Sequence, residues 1–301
     1  MSADRGARLA ALSPAKRALF ESMRSVSEDG PFLALRRRGS RPPLFLLHAA
    51  DGSASAYLTL ARHLSDDQPA YGVSFDGSAT GAVDLRSLSR RHLTRILGAR
   101  PVGPYMLAGW SSGGLLALEV ARLLRDQGRE VSLIALLDTP PPPLEPERSP
   151  DAVALLTAFA LQRAAARGGP PPDLTGLPGT DPEQRVTTVR QALLAVGHQV
   201  GTHDAFERET AVFLALARAS ALHRPAPVDR PLDVLRASSF PGTAAPWRAY
   251  GSGLREHLVP GDHMSLLRAP HAATVGAVLD RRCEAASSAP ATAPPSKRSD
   301  R

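Results

Sequence analysis

Ser111, Asp138 and His263 follow one another along the chain, each where an apolar run gives way to small or polar residues. A serine hydroxyl becomes a nucleophile when an imidazole takes its proton and a carboxylate orients that imidazole. The three side-chain types together can therefore transfer an acyl group through an acyl-serine. Ser111 is the centre of Gly109-Trp110-Ser111-Ser112-Gly113. A short apolar stretch, Tyr105 to Ala108, runs into this motif, and Leu115, Leu116, Leu118, Val120, Leu123 and Leu124 follow it at helical spacing. Strand, G-x-S-x-G and helix in direct succession form a nucleophile elbow, a turn so tight that the residues two before and two after the serine must lack bulk. The glycine spacing centres on Ser111 and disfavours Ser112 as the nucleophile.

For the acid, Asp138 closes the apolar run Val131 to Leu137, whereas Asp233 lies inside a later run and Asp262 is placed to cap the last helix. For the base, His263 follows Val259-Pro260-Gly261-Asp262, in a turn from which a side chain can reach back over a sheet. His257 falls in a strand, His271 in the last helix, and His198, His203 and His223 in a helical region. Only His263 combines the order Ser, acid, His with a loop at a strand end. The oxyanion of an acyl-transfer intermediate needs two backbone N–H donors. Ser112, at the start of the helix, supplies one, and the small-residue loop His48-Ala49-Ala50-Asp51-Gly52-Ser53 supplies the other, assigned to Ala50 with Ala49 as its neighbouring alternative.

The elements that must hold these groups are legible as alternating strands and helices. Strands are expected at Phe32 to Leu35, Leu44 to Leu47, Ala70 to Val73, Tyr105 to Ala108 and Val131 to Leu137, with helices near Tyr57 to Leu64, at Leu85 to Leu97 with Gly98 as its stop, and after the elbow. Such alternation implies a mainly parallel sheet covered on both faces. It breaks at Pro140-Pro141-Pro142-Pro143. Helices are then expected at Ala152 to Arg167, Glu183 to Val196 and Ala205 to Leu222, an insertion read as a lid over the strands' carboxyl ends. Strands resume at Pro231 to Ala237 and Leu254 to Val259, and a last helix is expected from Met264 to Arg281. Residues 1–30 read as an N-terminal appendage with an amphipathic helix from Leu9 to Met23, 31–283 as one domain with its lid at about 141–223, and 284–301 as a disordered tail.

With 301 residues and 43% hydrophobic side chains, the chain can bury one substantial core. Its formal charge of +7 is nearly all arginine, lysine occurring only at Lys16 and Lys297. The clusters Arg36-Arg37-Arg38, Arg90-Arg91 and Arg281-Arg282 are short, scattered and not interleaved with aromatics, which argues against nucleic acid and leaves a mildly basic face suited to an acidic protein. Cys283 is the single cysteine, so an internal disulfide and a cysteine-based metal site are excluded. No apolar run has the length of a bilayer span, and the first residues lack a signal-type apolar core, so a cytoplasmic location without membrane association is expected.

Taken together, Leu46-Leu47-His48-Ala49-Ala50-Asp51-Gly52, Gly-Trp-Ser-Ser-Gly-Gly, Leu136-Leu137-Asp138 and Val259-Pro260-Gly261-Asp262-His263 resemble the thioesterase domains of nonribosomal peptide and polyketide synthases, a branch of the α/β-hydrolase superfamily. The resemblance runs from about Leu44 to Leu279. It implies an α/β-hydrolase fold, a triad of Ser111, Asp138 and His263, and oxyanion donors at Ala50 and Ser112. It further implies attack on an acyl thioester carried on the phosphopantetheine arm of an acyl or peptidyl carrier protein, typically acidic, with release to water or to an internal hydroxyl or amine in natural-product biosynthesis. No cofactor of the enzyme's own and no metal is implied. The chain's own Met1, appendage and tail suggest an enzyme acting in trans. Oligomeric state, and editing against product release, stay open. A small-molecule carboxylesterase would use the same triad and is distinguished by rates on thioester against oxygen-ester substrates. A non-catalytic binding protein is distinguished by its failure to react with a serine-directed fluorophosphonate.

Overall fold

Alternation of side chains across one apolar sheet organises the molecule, which a computed structural model describes over residues 32–77, 83–142, 151–240 and 242–288. The strands are β1 (Leu33–Arg36), β2 (Leu44–Leu47), β3 (Ala70–Val73), β4 (Tyr105–Trp110), β5 (Val131–Leu137), β6 (Val228–Ala237) and β7 (Gly251–Val259). The helices are α1 (Leu58–Ala61), α2 (Leu85–Ala99), α3 (Ser112–Asp126), α4 (Ala152–Ala166), α5 (Arg185–Ala195), α6 (His203–Leu222) and α7 (His271–Ser288). All seven strands form one sheet in the order β1-β3-β2-β4-β5-β6-β7, with β1 antiparallel to β3 and every other pair parallel.

Successive residues of a strand point to opposite faces, and here both faces are covered. Phe45, Leu47, Tyr105, Leu107, Ile134 and Leu136 enter one core with α2 and α3. Leu44, Leu46, Met106, Ala108, Leu133 and Ala135 enter the other with α1 and α7. The central strands β2 and β4 are buried along their whole length. Each fully buried leucine contributes about 1.5–3 kcal/mol, which is why apolar runs without polar alternation form this sheet. The expectation of a mainly parallel sheet with helices on both faces holds.

The helical stretch between β5 and β6 is α4, α5 and α6. Its own small core is aromatic, with Phe159 5.5 Å from Phe206 and 5.3 Å from Phe213 between ring centres, and Arg163 lies over the Phe206 ring at 5.4 Å. Several boundaries differ from the sequence reading. The first helix is only one turn of 3-10 helix, Ser55–Tyr57, followed by α1. Helix α2 runs through Gly98 to Ala99, so that glycine is not its stop. Strand β6 begins at Val228 and passes through Pro231, which is tolerated because pairing with β5 starts only at Asp233.

The largest displacement concerns the last helix, which starts at His271 rather than Met264. Pro270 stands immediately before it, and a proline in a helix interior would remove a hydrogen bond and clash with the preceding turn. Asp262 consequently does not cap this helix. Its carboxylate accepts the N–H groups of Met264 at 2.8 Å and Ser265 at 2.9 Å, closing a local turn. Glu284 to Ser288 continue α7 instead of opening a tail. The appendage with its Leu9 to Met23 helix and the remainder of the tail lie outside the described residues. Among the described residues, no helix is long and apolar enough to cross a membrane.

Candidate active site

The elbow is built by steric exclusion. A Cβ on Gly109 would stand 2.0 Å from the carbonyl oxygen of Gly113, and one on Gly113 would stand 2.4 Å from the carbonyl oxygen of Leu47. Only glycine at both places lets α3 start directly over β4 and against the end of β2. Ser111 between them has φ 55° and ψ −129°, a conformation costing about 1–3 kcal/mol that must be held by its surroundings. Part of the holding is the Ser111 N–H, which donates to the carbonyl of Leu137 at 3.0 Å. The last residue of β5 is thus tied to the turn at Ser111, and the next residue along is Asp138.

Asp138 is buried and has φ 46°. Its N–H donates to Leu235 of β6 at 2.7 Å, and its Oδ1 accepts the N–H of Ala237 at 2.8 Å. These two bonds fix the carboxylate so that Oδ2 lies 2.8 Å from His263 Nδ1. On the far side of the ring, His263 Nε2 lies 3.1 Å from Ser111 Oγ. A carboxylate can only accept, so Nδ1 carries the ring proton and Nε2 is the acceptor for the serine O–H. The structure brings together the three residues singled out from sequence, in the arrangement that lets imidazole take a proton from the hydroxyl.

The rivals are engaged elsewhere. Asp233 is buried in an ionic cluster with His257 at 3.1 Å, Arg282 at 2.7 Å and Arg255 at 3.4 Å. His198 donates to the Pro170 carbonyl, His203 pairs with Glu207 on its own helix, and His223 stands 3.7 Å from the buried Glu119.

Two positioning residues escaped the sequence reading. The Trp110 indole N–H donates to the carbonyl of His263 at 3.1 Å, and the two rings lie 5.1 Å apart at 32°. Trp110, next to Ser111, therefore holds the loop that carries His263. Tyr57 is fully buried. Its O–H donates to the Leu47 carbonyl at 2.6 Å, and its oxygen accepts the Trp110 N–H at 2.8 Å. Burial raises its pKa well above the ordinary phenol value, so it stays protonated and keeps both bonds. One phenol thereby joins the end of β2, where the small-residue loop begins, to the turn at Ser111. Tyr57→Phe leaves a buried carbonyl and a buried N–H unpaired, at about 1–3 kcal/mol each. We expect a fall of several degrees in Tm together with a drop in kcat, measured by thermal melt and steady-state hydrolysis.

Ala50 and Ser112 both line the space around Ser111 and His263. Behind that loop, His48 Nδ1–H donates to the Ala49 carbonyl at 2.7 Å, and His48 Nε2 lies 3.1 Å from His92 Nε2. Burial pushes His48 down to about 4 and His92 well below its ordinary value, so both are neutral near pH 7.

The space itself is an open chamber of about 430 Å3, walled by Leu115, Pro140, Pro141, Ala158, Leu161 and Ala217 among others. A groove of similar size, about 490 Å3, lies beside Phe32, Arg41, Tyr71 and Arg100. It holds none of Ser111, Asp138 and His263, whereas Ser111 and His263 line the chamber, so the chamber is the site of interest despite being slightly smaller. Among the described residues, no group of three or more His, Cys, Asp or Glu side chains is placed to hold a metal ion.

Comparison with known proteins places this geometry in context. The family model described as "Thioesterase domain" matches residues 42–282. The dimodular nonribosomal peptide synthase of Bacillus subtilis (strain 168) is 34% identical over 164 residues, which is 53% of this chain but 7% of that protein. The chain thus spans a small part of the curated relatives it matches. Among solved structures, a four-domain nonribosomal peptide synthetase, holo-AB3403 bound to AMP and glycine, superposes with TM-score 0.75 at 27% identity over 83% of this chain and 20% of that one. The Vlm2 thioesterase domain superposes with TM-score 0.63 at 24% identity over 84% of this chain and 97% of that one, which supports the shared α/β-hydrolase fold.

Proposed function

Because the chain belongs to the thioesterase domain family, we propose that it releases acyl chains from the phosphopantetheine arm of a carrier protein through an acyl-Ser111 intermediate, in natural-product biosynthesis. The single observation that carries this reading is the continuous hydrogen-bonded line from Asp138 through His263 to Ser111 Oγ at the wall of an apolar chamber.

The chemistry follows from that line. As Ser111 Oγ attacks the thioester carbonyl, its proton passes to His263 Nε2, and Asp138 stabilises the imidazolium that forms. The carbonyl oxygen becomes an oxyanion, met by the N–H groups of Ala50 and Ser112; each such donor contributes about 2.7–4 kcal/mol to the transition state. Collapse breaks the C–S bond, and the proton held on Nε2 leaves with the thiol. Water, or a hydroxyl or amine within the acyl chain, then gives its proton to the same nitrogen as it attacks the acyl-serine, and collapse breaks the acyl–Oγ bond while Nε2 returns the proton to Ser111 Oγ. The products are a carboxylic acid or a ring, and the free thiol of the carrier. The steps balance without a cofactor of the enzyme's own, since the phosphopantetheine belongs to the partner.

Incubating acylated carrier proteins with the enzyme and following their intact mass tests the reading. Loss of the acyl mass from the carrier, at rates well above those on the matching oxygen esters, is the expected outcome. Acyl carriers that keep their mass while oxygen esters are hydrolysed would replace this reading by that of a carboxylesterase.

A further inference from the structure

Beside the chamber lies a second, smaller cleft of about 120 Å3, lined by Asp51, Phe159, Gln162, Arg163, Glu209 and Phe213 among others. Gln162 and Phe213 line both spaces, so the two adjoin across these side chains. Their chemistry is different. The chamber wall includes no Asp, Glu, Lys or Arg, whereas the cleft wall has two carboxylates and two guanidinium groups, Arg167 being the second. Two of these four, Arg163 and Glu209, form an ion pair, and Arg167 donates to the carbonyl of Gln199.

Asp51 is the carboxylate of this wall that stands outside that pair. Its carboxylate accepts the N–H of Ser53 at 3.1 Å and has no cationic partner among the described residues. Asp51 is exposed where it lines the cleft, so its carboxylate is open to an incoming group. A carboxylate in this condition is stabilised by any cation that reaches it. It also follows Ala50 directly, so it sits next to one of the groups assigned to the oxyanion.

We propose that this cleft binds a positively charged group, an amine, borne on the acyl chain whose carbonyl is held at Ser111, and that Asp51 is the residue that selects it. The inference rests on acyl transfer at Ser111. An acyl chain leaving the serine runs first along an apolar wall and then, past Gln162 and Phe213, meets a carboxylate lacking a counter-charge. The substrate class is therefore an acyl chain apolar near the thioester and cationic further out, as a chain with an amine at its far end is.

The test uses the full chain and N-acetylcysteamine thioesters of straight acyl chains of graded length, each ending in an ammonium, a methyl or a carboxylate group. The readout is the ratio of kcat/KM for ammonium over methyl at each length, which cancels any general loss of activity. We expect the wild type to favour the ammonium chain by about tenfold or more at one length, mostly through KM. Asp51→Asn should bring that ratio close to one, and Asp51→Glu should restore part of it. A wild-type ratio near one at every length, a ratio that survives Asp51→Asn, or a preference for the carboxylate chain overturns the proposal while leaving acyl transfer intact. Failure to hydrolyse any member of the series strikes at acyl transfer itself, and the proposal falls with it.

Discussion

Ser111→Ala is expected to lower thioester hydrolysis by about 10⁵–10⁶-fold while the protein stays folded. The substitution deletes one oxygen at the wall of the chamber and, with it, the atom that would carry the acyl group. Nothing packs less well afterwards, because the buried turn is held by the Ser111 N–H to Leu137 and by the close approaches at Gly109 and Gly113. The strained φ of 55° is the same for alanine, so Tm should move by no more than the equivalent of about 1 kcal/mol. Ser112 offers no substitute nucleophile, since it is the first residue of α3 and its assigned part is played by its N–H. Residual turnover of about 10³-fold over water is expected from the remaining donors and from binding. The same variant should lose labelling by a fluorophosphonate. Hydrolysis within tenfold of wild type in Ser111→Ala would dismiss an acyl-serine route.

The elbow and the sheet could be read in the sequence because their physics is local. Strands β2, β3 and β5 end where an apolar run meets a polar residue, His48, Ser74 and Asp138 in turn, and two glycines at fixed distance from a serine mark a turn that admits nothing else. The order Ser111, Asp138, His263 was legible because a mainly parallel sheet brings the carboxyl ends of its strands to one rim. What stayed hidden is long-range. Tyr57 joins positions 10 residues behind it and 53 ahead of it, and no spacing rule announces a phenol that satisfies two backbone groups at once. Trp110 was conspicuous within the motif, but its indole bond reaches 153 residues on, to His263. The misplaced start of α7 is a different kind of miss. Asp262 followed by Met264 and Ser265 has the look of an N-cap, yet the proline at position 270 already argued against a helix running through it. Asp51 belongs with Tyr57, for the cleft it lines is completed by side chains of α4 and α6 more than 100 residues on.

Asp138→Asn is expected to cost about 10⁴-fold in kcat, and the hydrogen bonds around this residue explain the loss beyond the missing charge. In the wild type, Oδ1 accepts from the Ala237 N–H and Oδ2 from the His263 Nδ1–H. An asparagine has one acceptor oxygen, and the backbone N–H of Ala237 is a donor that cannot change its role. The amide therefore turns its oxygen to Ala237 and its NH2 to the imidazole. Nδ1 must then accept, which places the ring proton on Nε2, the nitrogen facing Ser111. The base arrives already protonated, and the hydroxyl has nowhere to send its hydrogen. His263→Ala should match the loss in Ser111→Ala, and adding Asp138→Asn to it should cost little more, because the carboxylate acts only through the ring it orients. Steady-state hydrolysis by the two single variants and the double variant measures this. A double variant weaker than His263→Ala by the full factor seen for Asp138→Asn alone would mean that the two residues work independently, which a line of hydrogen bonds ending on one oxygen does not allow.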